Sequence, residues 1–321
     1  MKRIAVLTSG GDAPGMNAAL RAVVRAGIHH DMEVYAVHQG YEGLIDGKFE
    51  RMSRRSVADI LHRGGTIIKT ARSTRFHDPA HRQKAYENLQ KLKIEALIVI
   101  GGNGSLTGAK LLSEETGLMV MGLPGTIDND LSYTDFTIGF DTAVNTVLDA
   151  ITRIRDTSSS HDRSTIIEVM GRNCGEIALY AGLAGGAELV LMPEIDFPIE
   201  EIVAKFKEGI ETGKLHNIII RAEGFHISSP DLMRILKEET GQDIKLVVLS
   251  YLQRGGAPTF RDRILATECG MLAVELLSQG IGNRAIGEIG GKIVHLDLAK
   301  ALNAKRSLPE NLLNDIGILS K

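Results

Sequence analysis

One repeated unit limits what this chain can fold into. It is an apolar run of strand length, stopped by glycine or proline and followed by an amphipathic helical stretch. The segment "ALIVIGGNGSLTGAK" shows it plainly: Ala96–Ile100 is wholly apolar, and Gly101, Gly102 and Gly104 follow. A run of that length without polar alternation predicts a strand buried on both faces. Strands are expected at Arg3–Leu7, Glu33–Val37, Thr66–Lys69, Ala96–Ile100, Met119–Leu123, Thr165–Met170, Leu189–Met192, Ile218–Ala222 and Lys245–Leu249. Helices are expected at Met16–His29, Ser56–Arg63, Pro79–Leu92, Ser105–Glu115, Thr142–Thr157, Cys174–Ala184, Ile199–Thr212, Ser229–Glu239 and Arg261–Ser278. The alternation predicts an α/β protein of two similar three-layer α/β/α domains with mainly parallel sheets. Ligands of such folds gather at the carboxyl ends of strands.

A length of 321 residues suffices for two domains, each with its own core. The segment "TIGFDTAVNTVLDAITRIRDTSSSHDR" reads as one long helix ending in a serine run and is the best candidate for the boundary. A net charge of −3 gives no argument for nucleic acid, which demands a basic face. Cys174 and Cys269 lie far apart without metal-ligand spacing, so neither a disulfide framework nor a zinc site is implied. The apolar run Ile4–Leu7 is too short for a signal peptide, and no segment approaches a membrane span. A cytoplasmic location is the default expectation.

The post-strand turns carry the chemistry. In "LTSGGDAPGMNAA", Ser9, Gly10, Gly11 and Gly15 surround a turn into a helix. It is a phosphate cradle or an ordinary tight turn, and taken alone it favours neither. The "GGNGS" turn has the same form, and neither matches the Walker or the dinucleotide fingerprint. Two such turns in one chain favour a nucleotide. Magnesium accompanies nucleotide phosphates, so a carboxylate is expected at "GGNGS"; Asn103 stands there instead. In "GLPGTIDNDLSYTD", Asp128 and Asp130 sit with Thr126 and Asn129 in a segment too polar to be buried. Paired carboxylates repel unless a cation or a proton transfer uses them. The bland reading is an Asx-rich surface turn; the position after a strand favours function. Arg72, Arg172 and Arg254 follow strands and Arg163 precedes one. Their planar, permanently charged forks suit phosphate, and beside glycine turns they look like a phosphoryl-transfer centre. Glu223 is placed to accept sugar hydroxyls.

In order, "LTSGGDAPGMNAA", "GGNGS", "PGTIDND", "DTSSSHDR", "VMGRNCG" and "QRGGAP" closely resemble the bacterial-type 6-phosphofructokinases over nearly the whole chain. The resemblance implies transfer of ATP's γ-phosphoryl to the 1-hydroxyl of fructose 6-phosphate with Mg2+, in a homotetramer with a separate effector site. It implies a larger nucleotide-binding domain of residues 1–138 plus about 251–301. The smaller sugar-phosphate domain would be residues 139–250 plus about 302–321. Asp128 would be the base, Thr126 and Asp130 would orient substrate and metal, and Arg72 and Arg172 would steady the transferring group. ATP would meet Gly11, Arg72, Ser73, Gly102, Asn103, Gly104 and Ser105. The sugar phosphate would meet Thr126, Ile127, Asp128, Arg163, Met170, Gly171, Arg172, Glu223, Lys245, Tyr251, Leu252, Gln253 and Arg254, some of them from a neighbouring subunit. The effector (ADP or phosphoenolpyruvate in relatives) would meet Arg21, Arg25, Arg54, Arg155, Gly186, Ala187, Glu188, Thr212, Lys214, Leu215 and His216. Arg21 and Arg25 also read as the solvated stripe of an amphipathic helix.

Small residues at Gly104 and Gly125, where pyrophosphate-using relatives carry aspartate and lysine, favour ATP. Asn103, Lys245, Tyr251, Ser73 and Thr212 depart from the family pattern. Asn103 would hold magnesium with Asp130, but less tightly than an aspartate. These departures raise a second reading, a weakly active or non-catalytic paralogue that binds nucleotide and sugar phosphate. A pyrophosphate-dependent kinase ranks third and a dinucleotide dehydrogenase last.

Overall fold

The apolar runs become the strands of two sheets, one in each of two units of the chain. The computed structural model describes residues 1–211, 217–304, 306 and 312. The first unit comprises Met1–Thr142 with Arg254–Arg306, and the second is centred on Ala143–Gln253.

The chain opens with β1 (Arg3–Ser9), α1 (Met16–His29), β2 (Glu33–Val37), α2 (Gly40–Asp46) and β3 (Phe49–Arg51). It continues with α3 (Pro79–Lys91), β4 (Ala96–Gly101), α4 (Asn103–Thr116) and β5 (Met119–Pro124). Helix α5 (Phe140–Ser160) leads into β6 (Ser164–Val169), α6 (Glu176–Gly185), β7 (Leu189–Leu191) and α7 (Ile199–Glu211). Next come β8 (Ile218–Ala222), α8 (Ser229–Thr240) and β9 (Ile244–Val248). The chain ends its regular structure with α9 (Phe260–Ser278), β10 (Arg284–Ile289), β11 (Lys292–Asp297) and α10 (Leu298–Asn303).

The first sheet has the order β11-β10-β5-β4-β1-β2-β3. Its five central strands run parallel, and β3 and β11 pair antiparallel at the edges. Every residue of β4 is buried, as the unbroken apolar run requires. Leu97 and Val99 join one core with Leu106, Leu112 and Val120. Helix α1 crosses α9 closely. A Cβ on Gly270 would lie 2.8 Å from the Ala22 Cβ and 3.0 Å from the Ala19 carbonyl oxygen, so only glycine fits there. The second sheet, β7-β8-β6-β9, is parallel throughout. Its core gathers Ile166, Leu191, Ile202, Ile219, Leu232 and Ile244.

Two expected elements do not form. Thr66–Lys69 is not a strand; it is a turn held on β1 and its neighbours. The Thr8 hydroxyl bonds Thr66 and the Lys69 carbonyl, each at 3.0 Å, and Gln39 N–H donates to the Ile68 carbonyl. Ser56–Arg63 is a series of turns rather than a helix, because Asp59 adopts a positive φ of 53° that a right-handed helix excludes. The edge strands β3 and β11, the neighbouring β10 and the glycine-rich α2 were not expected. The β10–β11 hairpin did leave a signal: Gly290-Gly291 has φ of 58° and 75°, the paired positive values of a two-residue hairpin loop.

The start of α5 is capped by a carboxylate far along the chain. Asp262 accepts hydrogen bonds from Gly139 N and Thr142 N at 2.8 Å each, and from the Thr142 hydroxyl at 2.5 Å. Burial pushes its carboxyl up to about 6, against the opposing pull of those bonds. A folded-state value above the unfolded one means the native protein binds the extra proton between about pH 4 and 6. Stability therefore falls as pH rises through that window, by about 3 kcal/mol, and is flat above it. Denaturant unfolding of wild type and Asp262→Asn at pH 4, 5, 6 and 7 checks this. The gap between them is expected to narrow from pH 4 to 6 and then stay constant.

Candidate active site

Register brings three loops of the first unit to one sheet edge. Ser9 of β1 pairs with Gly101 of β4, and Gly101 pairs with Pro124 of β5. The loops after these strands therefore start at one level, at the carboxyl ends where α/β folds bind ligands. The two glycine cradles are neighbours. The Ser105 hydroxyl donates to Ser9 Oγ at 2.9 Å, and a Cβ on Gly10 would lie 3.3 Å from Ser105 Oγ. The third loop touches the second: a Cβ on Gly102 would lie 3.5 Å from the Thr126 Cβ.

The "GGNGS" turn opens α4. Gly102 precedes α4 in an extended conformation, no side chain caps the helix, and its first turn holds no acidic residue. Asn103 and Gly104 are exposed, and a Cβ on Gly104 would meet nothing within 4 Å. This exposed start of α4 has the positive end of the helix dipole behind it. Gly125 differs. A Cβ there would fall 2.8 Å from Ile100 Cγ2 and 3.1 Å from the Gly101 nitrogen, so packing already demands glycine.

The Asp128 segment, expected to be too polar for burial, is buried. Asp128 is 3% exposed and Asn129 fully buried. Burial is tolerated because Asn129 satisfies the loop from within: its Nδ2 donates to the Asp135 carbonyl at 3.0 Å and its Oδ1 accepts Thr137 N–H at 2.8 Å. The Thr126 hydroxyl accepts Asp128 N–H at 3.2 Å, and the Thr137 hydroxyl donates to the Thr126 carbonyl at 2.6 Å. Ile127 is buried, and Asp130 is half-buried.

Arg254 lies on the first cradle. Its Nη1 donates to the Asp12 carbonyl at 3.2 Å, and a Cβ on Gly11 would come within 2.1 Å of that nitrogen. Arg72 is exposed and forms no ion pair among the described residues. Ser73 turns inward. Its hydroxyl donates to Glu42 and accepts Phe76 N–H at 3.2 Å, which ties it to its own turn rather than presenting it to a ligand.

In the second unit, Gly171 and Arg172 follow β6 with φ of 132° and 56°. Arg172 is held in that left-handed conformation by Glu223, whose Oε1 accepts its N–H at 2.8 Å. Met170 N–H donates to the buried Gln253 amide oxygen at 3.1 Å. Tyr251 and Leu252 are strongly exposed. Arg163 and Lys245 converge on one carboxylate: Asp243 is 2.9 Å from Arg163 Nε and 3.0 Å from Lys245 Nζ. The ammonium of Lys245, with Arg163 beside it, holds the Asp243 carboxyl below the usual range.

The residues expected to hold an effector divide. Arg155 Nη2 donates to the carbonyls of Gly185 at 2.9 Å and Gly186 at 2.7 Å, and Glu188 lies 3.9 Å from its Nη1, so Arg155, Gly186, Ala187 and Glu188 are brought together. Arg21 and Arg25 are on α1 and Arg54 is exposed beyond β3. Thr212, Lys214, Leu215 and His216 lie outside the described residues.

Four supporting residues escaped the sequence reading. Buried Asn17 donates to the Arg63 carbonyl at 3.0 Å and accepts Ile67 N–H at 2.9 Å, fixing the loop beside β1. Buried Arg82 forks onto Glu115 at 2.6 and 2.8 Å and holds the Phe76 and His77 carbonyls, anchoring the turn after Ser73. Asp243 and Asp262 are the others. An asparagine on the apolar face of α1 was a readable signal for the first; the rest act over long sequence separations. Cys174 and Cys269 are both buried. Among the described residues no cluster of histidine, cysteine and carboxylates forms a metal site, and no helix is long and apolar enough to cross a membrane.

The phosphofructokinase family profile matches residues 3–277. The chain is 53% identical over 320 residues to the ATP-dependent 6-phosphofructokinase of Alkaliphilus metalliredigens (strain QYMF), covering 100% of both chains. It is 54% identical over 312 residues to that of Bacillus subtilis (strain 168), covering 97% of both. Among solved structures, phosphofructokinase from Saccharomyces cerevisiae superimposes with a TM-score of 0.89 at 37% identity. This chain is covered fully and spans 48% of the yeast one. A pyrophosphate-dependent phosphofructokinase from Marinobacter aquaeolei, at 23% identity and TM-score 0.86 over 99% of this chain and 91% of its own, shares the fold. With the family profile over most of its length and full-length relatives above half identity, the chain belongs to the phosphofructokinase family.

Proposed function

We propose that this chain is an ATP-dependent 6-phosphofructokinase that moves the γ-phosphoryl of ATP to the 1-hydroxyl of fructose 6-phosphate, giving fructose 1,6-bisphosphate and ADP. One observation carries the reading: two glycine cradles and the buried Asp128 share one sheet edge. Full-length relatives carrying the kinase's name support it over a non-catalytic paralogue.

ATP belongs to the first unit. Its phosphates lie along Gly11, Gly102, Asn103, Gly104 and Ser105, with Arg72 toward the nucleoside. Asp128 takes the proton of the 1-hydroxyl as that oxygen bonds the γ-phosphorus. The bond from the γ-phosphorus to the bridging oxygen breaks, and ADP carries the electron pair away. Thr126 orients the hydroxyl, and Arg172 and Arg72 stabilise the charge on the transferring group. The donor set suits Mg2+: hard oxygens from Asp130 and the Asn103 amide would join the phosphates' own, and the ion would neutralise charge there.

Sugar-phosphate contacts in the second unit are Arg163, Lys245, Met170–Arg172, Glu223 and Tyr251–Gln253, and Arg254 of the first unit is assigned to the same substrate. An anionic effector at Arg21, Arg25, Arg54, Arg155 and Gly186–Glu188, and assembly as a cytoplasmic homotetramer, complete the reading.

The test is a coupled assay of the purified protein with Mg2+, fructose 6-phosphate and either ATP or pyrophosphate. Turnover with ATP alone is expected; a folded protein without it overturns the reading. Asn103→Asp is expected to lower the Mg2+ concentration for half-maximal rate roughly tenfold, since a carboxylate replaces an amide as ligand to a hard cation. A Mg2+ titration of the rate checks it. Gly11→Ala drives the Arg254 guanidinium off its place while only a flexible side-chain end has to move. It is expected to raise the KM for fructose 6-phosphate roughly tenfold, the weight of one charge-assisted contact, with Tm within a few degrees of wild type.

A further inference from the structure

We propose that Asp262 is a positioning residue for phosphoryl transfer: from α9 it fixes the Thr137–Thr142 segment on which the Thr126–Asp130 loop is registered. This rests on Asp128 as the base.

Asp262 is 1% exposed, and its two carboxylate oxygens are committed to that segment. Oδ1 accepts Gly139 N–H, and Oδ2 accepts both the amide and the hydroxyl of Thr142. Gly139 has a φ of 105°, and a Cβ on it would lie 2.7 Å from the Ala13 Cβ and 3.2 Å from Ile127 Cγ2. The segment therefore passes directly against Ile127, the neighbour of the base. From Gly139 the bonds run into the loop itself. Ile138 N–H donates to the Pro124 carbonyl at 2.8 Å. Thr137 donates through its hydroxyl to Thr126 and through its amide to Asn129. Three positions flanking Asp128 are thus registered on the two residues that precede Gly139.

A carboxylate suits this place for a physical reason. The first amides of a helix lack partners within it, and their dipoles sum to a positive end. Asparagine there keeps one acceptor but turns an N–H2 toward N–H and O–H donors. The segment then shifts, and the loop with it. Misplacement of a reacting group by an ångström costs large factors in rate without weakening the binding of a substrate held elsewhere. The Gly102–Ser105 turn is tied to β1 through Ser9 and stays in place.

The experiment measures steady-state kinetics of full-length Asp262→Asn, Thr142→Val, Thr142→Ser and Asp128→Ser, with circular dichroism of each. Asp262→Asn is expected to lower kcat about 30-fold with the KM for ATP within about threefold. Thr142→Val, which leaves the Gly139 bond, is expected to lower kcat roughly threefold, and Thr142→Ser to restore it. A folded Asp262→Asn with kcat near wild type overturns the proposal, as does a KM for ATP rising in step with the loss of kcat. If Asp262→Asn does not fold, the threonine pair decides: unchanged kcat in Thr142→Val, or no recovery in Thr142→Ser, overturns it. Asp128→Ser reports separately on the base, because a retained rate there overturns that assignment alone.

Discussion

Replacing Asp128 by serine is expected to lower kcat by about 10²–10⁴-fold, with the KM for fructose 6-phosphate changed by less than about threefold. The expectation follows from where the carboxylate sits. Asp128 is almost wholly buried in a loop whose backbone is satisfied by Thr126, Asn129 and Thr137, so a small polar substitute leaves the frame standing. Serine removes the group proposed to accept the sugar proton, a contribution that appears only in the transition state. Steady-state kinetics over a range of both substrates separates the two parameters. A loss confined to KM, with kcat intact, would make Asp128 a binding residue and return the search for the base to Asp130.

The second large effect is expected at Arg172. Arg172→Ala is expected to lower kcat about 10²–10³-fold, the usual loss when a preorganised donor to developing charge is removed. Preorganisation is visible in the backbone. Arg172 is held at a φ of 56° by the Glu223 carboxylate, and a Cβ on Gly224 would fall 2.0 Å from the Arg172 carbonyl oxygen. The left-handed Arg172 and the tightly approached Gly224 thus fix the backbone from which this side chain leaves. Alanine tolerates the same φ as poorly as arginine does, so the fold should be unaffected and the loss is chemical. Arg172→Lys, which keeps charge without the planar fork, is expected to recover only part of the rate. Parallel kinetics of the two variants, with Tm measured alongside, checks both statements.

Much of the fold was legible in the linear order of residues. Unbroken apolar runs such as Ala96–Ile100 could be only central strands, and the amphipathic stretches between them only helices laid on the sheet. The turns that end those strands carry glycines because backbone must come close to a ligand or to another loop. Their gathering at the carboxyl ends of neighbouring strands was readable from position. Edge elements were not: β3 and β11 bury too little to impose a pattern, and α2 is broken up by glycines. Thr66–Lys69 shows the converse failure, since β-branched residues that look like a strand are used as a turn fastened to β1.

Of the candidate site, the residues proposed to face ligands stand in short motifs, and their supports do not. Short motifs identify Asp128, Arg172 and the cradles because turn chemistry and charge are local properties, spelled out within a few neighbouring positions. The burial of Asp128, the carboxylate shared by Arg163 and Lys245, and the Arg254 guanidinium resting on Gly11 are not local. Nor is the hold of Asp262 on Gly139, across 123 positions of the chain. Each depends on which strands the crossovers place side by side and on how buried polar groups find partners once water has left. Those partners exist only in the folded chain.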